Sequence, residues 1–434
     1  MMLCSKRTMA LLACAVLLAV SLCASASGET AACVDWAGSV HLDMQAEIAR
    51  QEVTVKTYVD GDTTHFFVPE TVEADGVLEA RYLAVNTPES TGKIEEWGKA
   101  ASRFTREKLE NAEAILIESD SEKWNLDSTS ARHLVWVWYR PAGETEYRNL
   151  NIELLQEGLA LPNNAGGNRY GEACLAAVAQ ARANKLRIYS GEKDPDFFYG
   201  DAIELTIREL RLHPEEYEGK KVAFSGVVTV NHNNAVFIED FDDETGLYFG
   251  ITAYYGFNLS GGGLEVLHVG NEVRIVGTMQ YYEAGHAWQV SGLNYRMMKP
   301  KDPGNIQKLS DGHSPAWTEI TAEQFFSTVT IETESGPETY DFAYLAQGTS
   351  VQVRGVYAAL SEEDTSGNTC RLISLDLNEG GLYDVLWIWI NTDLLRSLDL
   401  REGSVYDVRG IVGCDAQNDY RICVYTKDGI TIQE

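Results

Sequence analysis

Residues 53–58 alternate apolar and polar side chains, the period-two pattern of a half-buried strand, and Asp60-Gly61-Asp62-Thr63 then spells a tight turn. A second strand is expected beyond the turn, and residues 78–85 alternate again. From 97 to 112 the apolar positions change to helical spacing with mixed charge, and residues 114–118 and 134–139 read as two further strands. Residues 150–157 predict a short helix stopped by Gly158, and residues 171–185 a longer one. Strands first and helices after predict a small β-barrel packed by helices, a mainly β, α+β class.

Beyond Gly200 the pattern is mostly β, and it repeats. Gly219 and Gly226, Gly270 and Gly277, Gly348 and Gly355, and Gly403 and Gly410 are each seven apart. Between them, apolar side chains recur two residues apart, as at Val222 and Phe224 or Val351 and Val353, on one face of a strand. The second glycine allows the bend that curls a strand around a small barrel. The spacing of the copies predicts two tandem barrels, residues 201–300 and 316–434, preceded by helices at 204–212 and 321–326. The polar, Pro- and Gly-containing stretch 299–315 marks their boundary. Such short-helix-plus-barrel units resemble the OB-fold, a five-stranded barrel able to bind oligonucleotides or oligosaccharides. Residues 136–139 (Trp-Val-Trp-Tyr) and 386–390 (Leu-Trp-Ile-Trp-Ile) alternate, and are expected to split between barrel interior and surface.

A chain of 434 residues suits several domains. Residues 1–26 read as a signal peptide: Lys6 and Arg7 precede an apolar run, and Ala24-Ser25-Ala26 forms a small-x-small cleavage site. The run is short for a membrane anchor, so the protein is expected to be secreted, or associated with the cell envelope. Residues 27–49 form an N-terminal segment and residues 50–198 the first domain. Cys33, Cys174, Cys370, Cys414 and Cys423 remain after cleavage, and the last two flank a hairpin turn where a disulfide is possible. No spacing suggests a structural zinc site. The net charge of −30 argues against tight non-specific nucleic-acid binding, which needs a basic face, but not against metal-assisted hydrolysis. Residues 201–434 hold roughly two acidic residues per basic one, the wrong sign for a phosphate groove.

Five motifs follow in order: Val59-Asp60-Gly61-Asp62-Thr63; residues 80–89, from Ala80-Arg81-Tyr82 to Asn86-Thr87-Pro88-Glu89; Glu96-Trp97-Gly98-Lys99-Ala100-Ala101; Arg132-His133-Leu134-Val135; and residues 150–160, from Leu150-Asn151-Ile152 to Gly158-Leu159-Ala160. Together they resemble the thermonuclease (staphylococcal-nuclease-like) family over residues 50–195. The resemblance implies an exported Ca²⁺-dependent endonuclease that hydrolyses phosphodiester bonds of DNA or RNA, single strands favoured, leaving 3′-phosphates. Oxygen ligands suit a hard cation, and Asp62, Asn86 and the Thr87 carbonyl stand where the family holds the metal. Glu89 matches the glutamate that activates water. Arg81 and Arg132 match the arginines that grip the scissile phosphate, a task suited to a planar, permanently charged fork. Asp60 reads as a turn-capping residue, and His133 as packing in its strand.

Two departures matter. The family has a carboxylate where Asn86 stands, so the cation should bind more weakly. Tyrosines that stack on the nucleoside are also missing from 161–170, leaving Tyr170, and Ser128-Thr129-Ser130-Ala131 replaces a lysine and tyrosine. These changes, with the acidic balance, leave an alternative: a weak or inactive nuclease fold used for binding or scaffolding at the cell surface. Retention of Asp62, Arg81, Glu89 and Arg132 opposes it. The C-terminal barrels are candidates for binding nucleic acid, carbohydrate or protein.

Overall fold

A computed structural model describes residues 33–434, except 129, 131, 258, 300, 334, 359–368, 374–385, 391, 399, 402, 416–418 and 434. The expected signal peptide and its cleavage site lie outside the described residues.

The first five long strands are β1 (Arg50–Tyr58), β2 (Thr63–Phe67), β3 (Val77–Tyr82), β4 (Ala112–Glu118) and β5 (His133–Pro141). Each pairs with two others in the ring β1-β2-β3-β5-β4, which closes from β4 back to β1; β3 and β5 run parallel. The alternation seen in the sequence decides the facing of β3: Leu78, Ala80 and Tyr82 are buried, leaving Glu79 and Arg81 on the other face. Helix α1 (Gly98–Glu110) connects β3 to β4, and α2 (Leu150–Gln156) and α3 (Gly171–Ala183) follow β5. Their apolar faces join the barrel side chains in one core.

The second barrel comprises β6 (Lys221–His232), β7 (Ala235–Asp242), β8 (Leu247–Tyr254), β9 (Glu272–Tyr282) and β10 (Ala287–Ser291). The third comprises β11 (Ser350–Ala358), β12 (Thr369–Ile373), β13 (Trp387–Ile390), β14 (Val405–Cys414) and β15 (Tyr420–Val424). Both repeat the neighbour order of the first ring, again with the third and fifth strands parallel. The protein is therefore mainly β with short helices, built on three closed five-stranded barrels of OB type.

The glycine repeat has a direct structural meaning. Its four copies lie along the first and fourth strands of the two later barrels, and these strands pair with each other. Val222 stands opposite Gly277, and Val351 opposite Gly410. The leading glycines 219, 270, 348 and 403 all have φ between +73° and +88°, a left-handed entry turn that disfavours a side chain. Of the trailing glycines, 226, 277 and 410 lie where a Cβ would come within 3 Å of a neighbouring strand's carbonyl oxygen.

Several expectations need correction. Residues 136–139 do not split between inside and outside: all four are buried. Trp136 and Trp138 both pack edge-on against Tyr170 at the start of α3, so helices cover the face that a bare barrel would expose. In the third barrel, Leu386, Ile388 and Ile390 are buried and Trp389 lies half-buried against Tyr425. Cys414 and Cys423 are not joined by the expected disulfide. Cys414 pairs in register with Tyr420, so Cys423, three residues further on, points to the opposite face of the strand. The stretch 299–315 also contains a strand, Gln307–Ser310, that extends the second barrel along β9. The helix expected at 204–212 begins at Ile207, where Thr206 and Glu209 form a reciprocal cap, and Glu204 instead pairs with β6.

The barrels touch. Glu239 on β7 accepts hydrogen bonds from the Ser350 amide and hydroxyl (2.7 and 2.8 Å) and the Ala316 amide (2.7 Å), tying the second barrel to the third. Burial pushes its carboxyl above the usual range, and those hydrogen bonds oppose the shift. No helix among the described residues is long and apolar enough to cross a membrane.

Candidate active site

The turn after β1 is closed by its own aspartate. Asp60 accepts the Asp62 amide at 3.1 Å, which aims the Asp62 side chain back into the barrel end. Asp62 is fully buried; one carboxylate oxygen accepts the Thr87 amide at 2.8 Å, and the other meets the Thr63 hydroxyl at 3.2 Å and the Arg81 guanidinium. Burial raises the Asp62 carboxyl to about 7, helped by Asp60's charge; Arg81 and the Thr87 amide pull the other way without overcoming it.

Arg81 and Thr63 are register partners on β3 and β2, which explains their meeting. The other arm of the Arg81 fork reaches Asn86 Oδ1 at 2.5 Å. One guanidinium thus bridges the two side-chain oxygens expected to hold a cation. Arg132 enters from just before β5, held by Ser130 (Nε to Oγ, 2.8 Å) and Asp127 (3.5 Å). The Thr63 hydroxyl lies 3.5 Å from both Arg81 and Arg132. The structure therefore brings Asp62, Arg81, Asn86, Thr87 and Arg132 to one barrel end.

Glu89 follows on the loop after Pro88. It is open to solvent, yet the surrounding protein still removes enough water to raise its carboxyl above the ordinary value. Asp60 adds to that shift, while Arg81 and Arg132 oppose it, so Glu89 lies within electrostatic reach of both arginines. Gly98, the first residue of α1, packs directly on this loop: a Cβ there would lie 2.1 Å from the Glu89 carbonyl oxygen.

Two side chains at or near the site were given no role by the sequence. Thr63 looked like the end of a turn motif, but its hydroxyl lies within reach of both arginines. Asn151 is wholly buried and clamps the end of β3 to β5: its amide donates to the Leu83 and Val135 carbonyls (2.9 and 3.1 Å) and accepts the Val137 amide (2.9 Å). Its position in the fifth motif was the available clue. Residues 85–86 are further pinned by pairing with 161–162. Tyr170 cannot stack on a base: it is buried, and its hydroxyl donates to Glu118 at 2.7 Å. His133 is also buried, with Nε2 2.9 Å from Glu73.

The donor set suits a hard cation in kind. Asp62 and Asn86 present side-chain oxygens to the two arms of one cationic group, the Arg81 guanidinium. Its charge is low, because Asn86 is neutral, and among the described residues no three His, Cys, Asp or Glu side chains gather as a metal centre.

A family model described as staphylococcal nuclease homologue matches residues 79–191, which includes Arg81, Asn86, Thr87, Glu89 and Arg132 and begins after Asp62. A thermonuclease of Staphylococcus intermedius is 31% identical over 118 residues, which cover 26% of this chain and 61% of the relative. The chain thus spans less than two thirds of that relative's length. Together with the barrel order and the ordered site, these matches identify residues 79–191 as part of a staphylococcal-nuclease-like family domain.

Proposed function

We propose that the chain is an exported nuclease that hydrolyses phosphodiester bonds of DNA or RNA with the help of Ca²⁺. Residues 50–198 would be the catalytic domain, followed by accessory barrels at 201–300 and 316–434. The observation that carries this reading is the meeting of Arg81 and Arg132 on the Thr63 hydroxyl, beside Asp62 and within the field of Glu89. A protein that merely kept the fold would have no need of two guanidiniums converging at an open barrel end.

The chemistry follows from those groups. Arg81 and Arg132 hold non-bridging phosphate oxygens and offset the charge that grows on them in the transition state. Glu89 takes a proton from the attacking water as its oxygen bonds to phosphorus; the opposite P–O bond breaks, the leaving oxygen takes a proton from solvent water, and Glu89 returns its own to solvent. Asp62, Asn86 and the Thr87 carbonyl would hold the cation, which supplies Lewis-acid polarisation of the phosphate. For Arg81 to meet substrate, its ties to Asp62 and Asn86 must loosen.

Those same ties favour a second reading, in which the pocket is closed by its own ion pair and the domain binds without cutting. One assay separates the two. The mature protein is incubated with single-stranded DNA, with calcium or with chelator, beside Glu89→Gln and Arg81→Ala. Calcium-dependent cleavage that each substitution lowers at least a hundredfold supports the nuclease; equal rates for all three proteins at every calcium level leave only binding.

A further inference from the structure

The loop that carries Glu89 is held from two sides. Its own domain supplies the Glu95 amide, which donates to the Glu89 carbonyl at 2.9 Å, and the Trp97 amide, anchored on Asp194 at 2.6 Å. The other side belongs to the second barrel. The Ser291 hydroxyl on β10 lies 2.7 Å from the Gly92 carbonyl, and the Gln280 amide on β9 donates to the Ser90 carbonyl at 3.3 Å. Gln280 and Ser291 also touch each other. Gly292, at φ +70°, brings its backbone so close that a Cβ would lie 3.2 Å from the Gly92 oxygen.

Both side chains are more than nine-tenths buried, at 8% and 0% exposure. A polar group removed from water must find a partner or cost stability. Here the partners are backbone carbonyls of one loop in another domain, one and three residues beyond Glu89. A barrel that served only as a tether would not direct its buried polar side chains there. The outer contact at this junction, Arg106 with Glu283 at 2.6 Å, is an exposed pair of the kind that contributes little.

We infer that the second barrel is part of the catalytic apparatus: Gln280 and Ser291 are positioning residues that fix the Glu89 loop against the arginines. This rests on the nuclease reading above. The general base must lie within hydrogen-bond reach of its water, so a loop loosened by an ångström loses rate rather than substrate affinity.

The test uses the full mature chain carrying Ser291→Ala, Gln280→Ala, or both, with Glu283→Ala as the control that breaks only the outer pair. Cleavage of single-stranded DNA should show kcat reduced about fivefold by each change and about twentyfold by both, as expected for loss of ordinary hydrogen bonds. KM should stay within twofold, and the control should match wild type. Hydrogen–deuterium exchange should be faster across residues 89–96 in the double variant and unchanged in β1–β5. Wild-type kcat in the double variant together with unchanged loop exchange overturns the inference. If wild type itself cuts nothing, the nuclease reading falls separately, and loop exchange alone decides whether the second barrel fixes this segment.

Discussion

Asn86→Asp restores a carboxylate at the one position where the proposed cation site lacks charge. Asn86 Oδ1 and Asp62 bind the two arms of one guanidinium, so the new carboxylate would stand roughly 5 Å from Asp62, the width of that fork plus its hydrogen bonds. At that separation the two carboxylates would repel each other by about 0.8 kcal/mol in water and about 3 kcal/mol at an effective dielectric of 20. Asn86 is exposed, so the lower value applies to that repulsion, while a divalent ion about 2.4 Å from the new carboxylate attracts it by about 3.5 kcal/mol in water. Arg81 competes for the same charge and takes back part of the gain. A net improvement of about 1.5–3 kcal/mol remains, or roughly ten- to a hundredfold in cation affinity. The assay is the initial rate of DNA cleavage against free calcium, wild type beside Asn86→Asp. The half-activating calcium concentration should fall by that factor. An unchanged or higher value would refute the assignment of Asn86 to the cation site.

Glu153 on α2 is 5% exposed and gathers the Tyr139 hydroxyl (2.6 Å), Lys108 (3.0 Å) and Arg148 (3.3 Å). Its removal as Glu153→Ala takes a partner from Lys108 and the Tyr139 hydroxyl, while Arg148 keeps Asp35, and should cost about 1–3 kcal/mol, read as a thermal-denaturation midpoint clearly below that of Glu153→Gln, which keeps an acceptor for Tyr139. Burial holds the His133 imidazole below its ordinary value of 6.5 despite Glu73 beside it. The unfolded chain therefore binds the proton more readily, and the domain should lose stability as pH falls below about 6.5. His133→Asn should flatten that limb in urea titrations at pH 5 and 7; an unchanged slope would count against the desolvation argument.

Local patterns revealed much of the fold. The glycine repeats located the first and fourth strands of two barrels because turn entry and close strand approach are demanded residue by residue. The ordered motifs named the residues that converge on the barrel end, since the motifs that carry Asp62, Arg81, Asn86, Thr87 and Arg132 lie at turns and strand ends. What escaped the sequence depends on chains meeting across long separations. Residues 136–139 looked two-faced because α3 covers them from elsewhere. Tyr170 looked available because nothing local shows Glu118 accepting its hydroxyl. Thr63 gained its place only when β2 and β3 paired in register. The contact of Ser291 with Gly92, 199 positions away, has no local signature.

Closure of the three rings also governs how this protein can meet others. Every main barrel strand already has a partner on both sides, so few backbone groups are left to accept an added strand. Pairing of another chain's strand onto the main barrel strands is thereby disfavoured by closure itself. Recognition of any polymer then has to come from side chains at barrel ends and from loops. Selectivity should consequently change with substitutions in those loops while the strand framework stays as it is.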